Sequence, residues 1–134
     1  MPLVLTEEQE MLRESAHGFL EQKAPVSALR KLRDTNDPDG FDRGLWKEMA
    51  EMGWAGILID EEHGGADFGF VGAGVLAEEM GRTLTASPFL STSILAATAL
   101  KKLGSDPQKQ ATLPKIASGE ALYALAVDET RKHG

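Results

Sequence analysis

One stretch constrains this chain more than any other: Trp54-Ala-Gly-Ile-Leu-Ile-Asp-Glu-Glu-His-Gly-Gly-Ala-Asp-Phe-Gly69. Trp54 to Ile59 form an unbroken run of apolar residues and glycine, too short for a buried helix and flanked by turn formers, so a short extended segment is expected near Ile57. The pair Gly64-Gly65 then demands a tight turn with positive φ, which glycine adopts without steric cost. Helical periodicity resumes at Phe70 and runs to Arg82, with Val71, Val75 and Met80 apolar and Gly72, Ala73, Gly74 and Ala77 small enough to let helices approach. The chain must therefore bury a non-helical segment between helices.

Caps and stops delimit the remaining elements. Thr6 with Gln9 three residues later is a capping box, and Glu7 and Glu8 favour the helix dipole, so a first helix begins there with Met11, Leu12, Ala16, Phe19 and Leu20 on one face. Pro25 suits the entrance of a second helix through Leu32, and residues 34–40 are turn chemistry. Asp42 caps a third helix, Arg43 to Met52, with Phe41 available to staple onto Trp46 and Gly53 as its stop. Ser87-Pro88 opens a fifth helix that runs to Gly104; as the most apolar of the set it is expected to be central. Asp106-Pro107 opens a sixth that Pro114 bends or ends, and the apolar run Ala121 to Val127 reads as a strand without a partner. The fold class is all-α, a bundle of about six helices ending in a strand whose partners are missing.

Composition excludes several functions. The net charge of -7 leaves no phosphate-binding footprint, and Arg30, Lys31 and Arg33 read as a solvated helix face, so no nucleic acid partner is expected. Cysteine is absent, which removes disulfides, thiol nucleophiles and Cys-ligated zinc. No apolar run approaches the length of a membrane span, and the N-terminus lacks signal-peptide character; a cytoplasmic protein is the simplest reading. The glycines of residues 64–74 match neither the G-x-G-x-x-G pattern nor a phosphate loop ending in Gly-Lys-Ser/Thr. Asp60, Glu61, Glu62 and His63 are consecutive and read as a solvated loop in preference to a metal site. Glu78 and Glu79 lie about 100° apart around a helix, so one should face solvent and they cannot pair as acid and base. His17 has no triad partners and is expected at the surface or core edge.

In their order along the chain, these features resemble the N-terminal domain of acyl-CoA dehydrogenases: the Trp54 to Gly69 stretch, the helix carrying Glu78-Glu79-Met80-Gly81-Arg82, then Leu113-Pro-Lys-Ile-Ala-Ser-Gly-Glu120 and Leu122-Tyr-Ala-Leu-Ala-Val-Asp-Glu129. The resemblance runs from Thr6 to Glu129. It implies residues 1–119 as the helical domain and residues 120–134 as the truncated start of the central β-domain. It further implies FAD as cofactor, an acyl-CoA thioester as substrate of an α,β-desaturation, and other dehydrogenase domains or subunits as partners in a homo- or hetero-oligomer. Carried over by position, Pro88, Phe89, Ser91, Thr92 and Ala96 would line the acyl chain, while Val127 and Asp128 would contact the flavin. No catalytic residue falls within this chain, because the family's glutamate base lies in a later domain; a fragment with neither activity nor retained FAD is expected. Where the family reads Thr-Glu-Pro, Asp128-Glu129-Thr130 stands here, and an acceptor-only carboxylate replaces a hydroxyl that could donate. That departure resembles branches built from paired, unequal subunits. A non-catalytic partner subunit and a free-standing helical interaction module are the competing readings.

Overall fold

The structure is a computed structural model that describes residues 4–127. Six helices account for its regular structure. α1 (Glu7–Lys23) opens on the expected capping box: the Gln9 N–H donates to the Thr6 hydroxyl at 3.2 Å, and the Gln9 side chain accepts from the Thr6 N–H at 2.9 Å. α2 (Val26–Asp34) follows Pro25 as N-cap. α3 (Arg43–Glu51) is capped by the Asp42 carboxylate, which accepts from the Leu45 N–H at 3.1 Å, and the chain leaves it through Gly53 at φ +86°. α4 spans Gly69–Arg82. The fifth helix is composite, a π-helical stretch Phe89–Ala96 that continues directly as α5 (Ala97–Leu103). α6 (Asp106–Ala117) starts on a second capping box, Ser105 with Gln108.

α1 and α4 make the most extensive helix–helix contact. Ala16 and Leu20 of α1 and Ala73, Leu76 and Met80 of α4 share the main core with Trp46, Met49 and Trp54. Phe19 meets Trp54 edge to face, with ring centroids 5.3 Å apart, a favoured aromatic geometry. A second cluster joins Ile59, Ala97, Leu113, Ile116 and Ala117, so α6 and α5 close over the far side of the Trp54 to Ile59 segment.

Several sequence expectations are corrected. The segment around Ile57 is a succession of turns, buried at every residue from Trp54 to Ile59. Most of its amides and carbonyls pair locally, with the following loop or with Lys101, so it needs no extended form. Ala121 to Val127 is not a strand: the described residues contain no other strand to complete a ladder, and the segment runs as irregular chain. Pro114 does not end α6, which continues to Ala117. Both Pro114 and Gln110, whose carbonyl loses its intrahelical donor, lie on the exposed face, where water can replace the missing bond. The fifth helix is not central. Leu90, Leu95 and Leu103 are exposed along one side of it, and the centre belongs to α1, α4 and the Trp54 turn. Gly72 serves the ring of Phe68, which a Cβ would meet at 2.2 Å, and Gly74 faces open space.

Gly64 takes the expected positive φ of +82°, but Gly65 is required for a different reason: a Cβ there would stand 1.9 Å from the carbonyl oxygen of Ile59. Gly65→Ala is therefore expected to cost about 1–3 kcal/mol or more by overpacking, whereas Gly74→Ala on the exposed face of α4 should stabilise by about 0.5–1 kcal/mol. Urea unfolding of the two variants beside the parent checks both signs.

Candidate functional site

The accessible apolar surface gathers along the fifth helix. Phe70 at the start of α4, Leu90 and Leu95 of the π-helical stretch, Leu103 at the end of α5 and Leu125 of the terminal segment are all exposed, Phe70 and Leu90 at 64%. Shallow recesses lie between them. One of 290 Å³ sits between Ala77, Met80 and Leu84 on one side and Phe89, Leu90 and Ile94 on the other. A second, of 340 Å³, is bounded by Phe70, Leu95, Ala99 and Leu125. A third, of 420 Å³, lies between Leu100, Leu103 and Thr112 and the Tyr123 to Leu125 segment. Such a face, open and apolar with few polar groups, suits an acyl chain or another apolar surface.

The residues expected along an acyl chain do not share one side of this helix. Phe89, Thr92 and Ala96 are buried against the body of the fold, while Pro88 and Ser91 are half-buried and linked to one another, the Ser91 hydroxyl donating to the Pro88 carbonyl at 3.2 Å. Phe89 edges the first recess and Ala96 the third. Leu90, Leu95, Phe70 and Leu125 supply most of the open face and lie outside the acyl-lining set carried over by position. Leu90, Ile94 and Leu95 fall on one face under the wider i→i+5 winding of the π-helix, a grouping that α-helical spacing in the sequence does not give. Val127 is exposed at 72%, and Asp128 lies outside the described residues.

The Thr92 hydroxyl is the best-partnered polar group of the region. It donates to the Tyr123 carbonyl at 2.8 Å and accepts from the Tyr123 N–H at 3.1 Å. The neighbouring Ser93 hydroxyl, fully buried, has no hydrogen-bond partner among the described residues.

Two polar clusters stand elsewhere. Glu79 is the inward member of the Glu78-Glu79 pair; it is buried at 3% exposure, with one oxygen 2.9 Å from His17 Nδ1 and the other 3.2 Å from Arg82 Nε. His17 also faces Glu21 at 3.2 Å, so it sits half-exposed at the α1–α4 edge between two carboxylates. Asp60, Glu62 and His63 do converge, their ligand atoms within 4.8 Å of one another, because a single 3₁₀ turn (Glu61–His63) brings them together. The Lys101 ammonium already occupies Asp60 at 2.8 Å and also donates to the buried Leu58 carbonyl at 2.6 Å. That cation supplies the charge compensation a metal would bring. Among the described residues, no helix is long and apolar enough to cross a membrane.

Lys101 holds the Asp60 carboxyl below its ordinary value, chiefly by hydrogen bonding to it. A carboxylate with a depressed folded-state pKa adds stability above its unfolded pKa of about 3.9, and loses that contribution as pH falls through the folded value. Lys101→Met should thus flatten the acid limb of the stability profile below about pH 4. It should also cost about 1–3 kcal/mol at neutral pH, because the Leu58 carbonyl is left unpaired. Thermal melts of parent and variant from acid to neutral pH measure both effects.

Comparison with known proteins gives the family and the fold. Residues 6–120 match the family described as "Acyl-CoA dehydrogenase, N-terminal domain". The chain is 33% identical over 123 residues to an acyl-CoA dehydrogenase, IpdE2, of Mycobacterium tuberculosis, covering 91% of this chain and 37% of that protein. Its fold superimposes on the ChsE4-ChsE5 complex of the same organism with a TM-score of 0.83 and 27% identity, over 100% of this chain and 36% of that one. An acyl-CoA dehydrogenase of Bacillus anthracis solved with FAD matches with a TM-score of 0.69 at 25% identity, over 92% of this chain and 21% of that one. The chain spans about a third of the length of the curated relatives it matches.

Proposed function

The chain belongs to the acyl-CoA dehydrogenase family through its N-terminal domain, and from that membership we propose that it forms one wall of the acyl and flavin cleft in an FAD-dependent desaturation of an acyl-CoA thioester. The observation that carries the proposal is the open apolar face of the fifth helix, running from Leu90 past Leu95 to Leu103 with Phe70 and Leu125 beside it. On this reading Pro88, Phe89, Ser91 and Ala96 border or support the acyl side. Residues 1–119 are the helical domain, and residues 120–134 begin the β-domain. A cytoplasmic location goes with this reading and rests on composition alone.

The residues present fit FAD at one edge. No backbone hydrogen bond among the described residues engages Ala124 to Val127, and these residues are exposed, so their N–H and C=O groups can meet a polar ring system. Val127 and Asp128 are the proposed contacts. When bound, FAD accepts the hydride removed from the β-carbon of the thioester. The contribution of this chain is positional: it offers an apolar wall that excludes water from the acyl chain and a short run of backbone at the ring edge. No residue of the chain is assigned as acid or base.

A second reading is favoured by two observations. Asp128 stands where a hydroxyl is expected, and the full chain superimposes on a member of a two-component complex. A non-catalytic partner subunit of a heteromeric dehydrogenase accommodates both. A second dehydrogenase reading frame beside the gene supports that reading, and its absence counts against it.

The 134-residue chain purified with excess FAD is expected to stay colourless, since it supplies one edge of the flavin site; a bound-flavin absorbance near one equivalent overturns the one-wall reading. The open face should also drive self-association, because covering it recovers about 25 cal/mol per Å². Leu90→Ser with Leu95→Ser is expected to shift sedimentation toward monomer. A parent chain that is cleanly monomeric at high concentration removes the open-face argument.

A further inference from the structure

We infer that Thr92 is a positioning residue whose hydroxyl takes the place of a β-strand partner and fixes the terminal segment along the fifth helix. Paired residues of an antiparallel ladder exchange both an N–H and a C=O with the residue opposite. Tyr123 makes that same two-point exchange with one side chain, giving its N–H to the Thr92 oxygen at 3.1 Å and taking the Thr92 hydroxyl proton at 2.8 Å. A single hydroxyl can do this because it carries one donor and two acceptor sites.

Three features set this contact apart from incidental pairing. A helical threonine ordinarily returns its hydroxyl to a carbonyl one turn back, and Thr92 instead reaches across 31 residues. The adjacent Ser93 is as deeply buried and has no partner among the described residues, so this helix does not satisfy its hydroxyls as a matter of course. Thr92 itself is 1% exposed, so no acyl chain reaches its oxygen without first displacing Tyr123. Residues 120–127 have one further backbone anchor among the described residues, the Ala121 N–H donating to the Lys115 carbonyl at 3.0 Å. The Thr92 latch is therefore the last fixed point before Ala124 to Val127.

The inference rests on the proposed function, in which Ala124 to Val127 border the flavin; Thr92 then sets the flavin-facing backbone without touching flavin or substrate. The test compares Thr92→Val, which keeps the branched shape and loses the hydroxyl, with Thr92→Ser, which keeps the hydroxyl. In the 134-residue chain, the Tyr123 amide should exchange with deuterium at least about fivefold faster in Thr92→Val, from the loss of these bonds. In Thr92→Ser it should stay within about twofold of the parent, matching protection by one retained hydroxyl. Equal exchange in Thr92→Val and parent, or equal acceleration in both variants, overturns the latch. Should Thr92→Val fail to fold, Tyr123→Pro deletes the N–H from the exposed segment and leaves the helices intact. It should accelerate chymotryptic cleavage after Leu125, and an unchanged rate overturns the latch. In the complete dehydrogenase, Thr92→Val should lower flavin occupancy and Thr92→Ser should not. Faster exchange with unchanged occupancy keeps the latch and sinks the flavin-edge assignment, so the two failures are told apart.

Discussion

The fold depends on burying the backbone of Trp54 to Ile59 while pairing most of its polar groups. Every residue of that run is buried, and each orphaned peptide group would cost on the order of 1–3 kcal/mol. The loop that follows supplies most of the partners. The Ala66 N–H donates to the Gly56 carbonyl at 2.9 Å, the Asp67 N–H to Ile59 at 3.0 Å and the Phe68 N–H to Ile57 at 2.9 Å. Lys101 reaches in from α5 to the Leu58 carbonyl. This closure requires the two backbones to come closer than a Cβ allows. Gly65 lies against the Ile59 carbonyl, and Gly56 lies between Gly65 and Ala117 of α6.

Because the turn is fixed, the helices around it are fixed as well. α3 delivers Met49, whose carbonyl accepts from the Trp54 N–H at 3.1 Å; α1 brings Phe19 onto the Trp54 ring. α4 springs directly from the closing loop and pairs with α1 through Ala73, Leu76 and Met80. Glu79, the one deeply buried carboxylate among the described residues, lies at this junction with His17 and Arg82 as partners. Burying a charge is tolerated only with such pairing. The Gly56–Ala117 approach and the Lys101–Asp60 pair then orient α6 and the fifth helix, and with them the open apolar face.

The fifth helix divides its two sides between stability and function. Its inward side, with Phe89, Thr92 and Ala96, completes the core and holds the terminal segment. Its outward side leaves Leu90, Leu95 and Leu103 uncovered, an arrangement suited to a domain that closes against other parts of a larger enzyme. The π-helical winding changes which residues fall on which side, so an α-helical wheel drawn on the same sequence assigns some of them wrongly.

Much of the fold was legible in the sequence because its signals are local. The capping box at Thr6, the Asp42 cap, the Gly53 stop and the Asp106-Pro107 start act within one turn of chain, and each helix they delimit lies where the residues imply. The inward turn of one member of the Glu78-Glu79 pair follows from helical geometry alone. What the tertiary structure decided involves partners distant in sequence or absent from the described residues. The reason Gly65 must be glycine is the Ile59 carbonyl above it, not its own φ. Whether Ala121 to Val127 becomes a strand depends on a neighbouring strand, and in its absence the Thr92 hydroxyl takes over the pairing. Residue type and spacing determined that this chain is a helical domain of its family. Which side of the fifth helix faces the core, and which is left open to a ligand, was set only by the packing of the whole, since a hydrophobic residue carries no mark of the surface that will cover it.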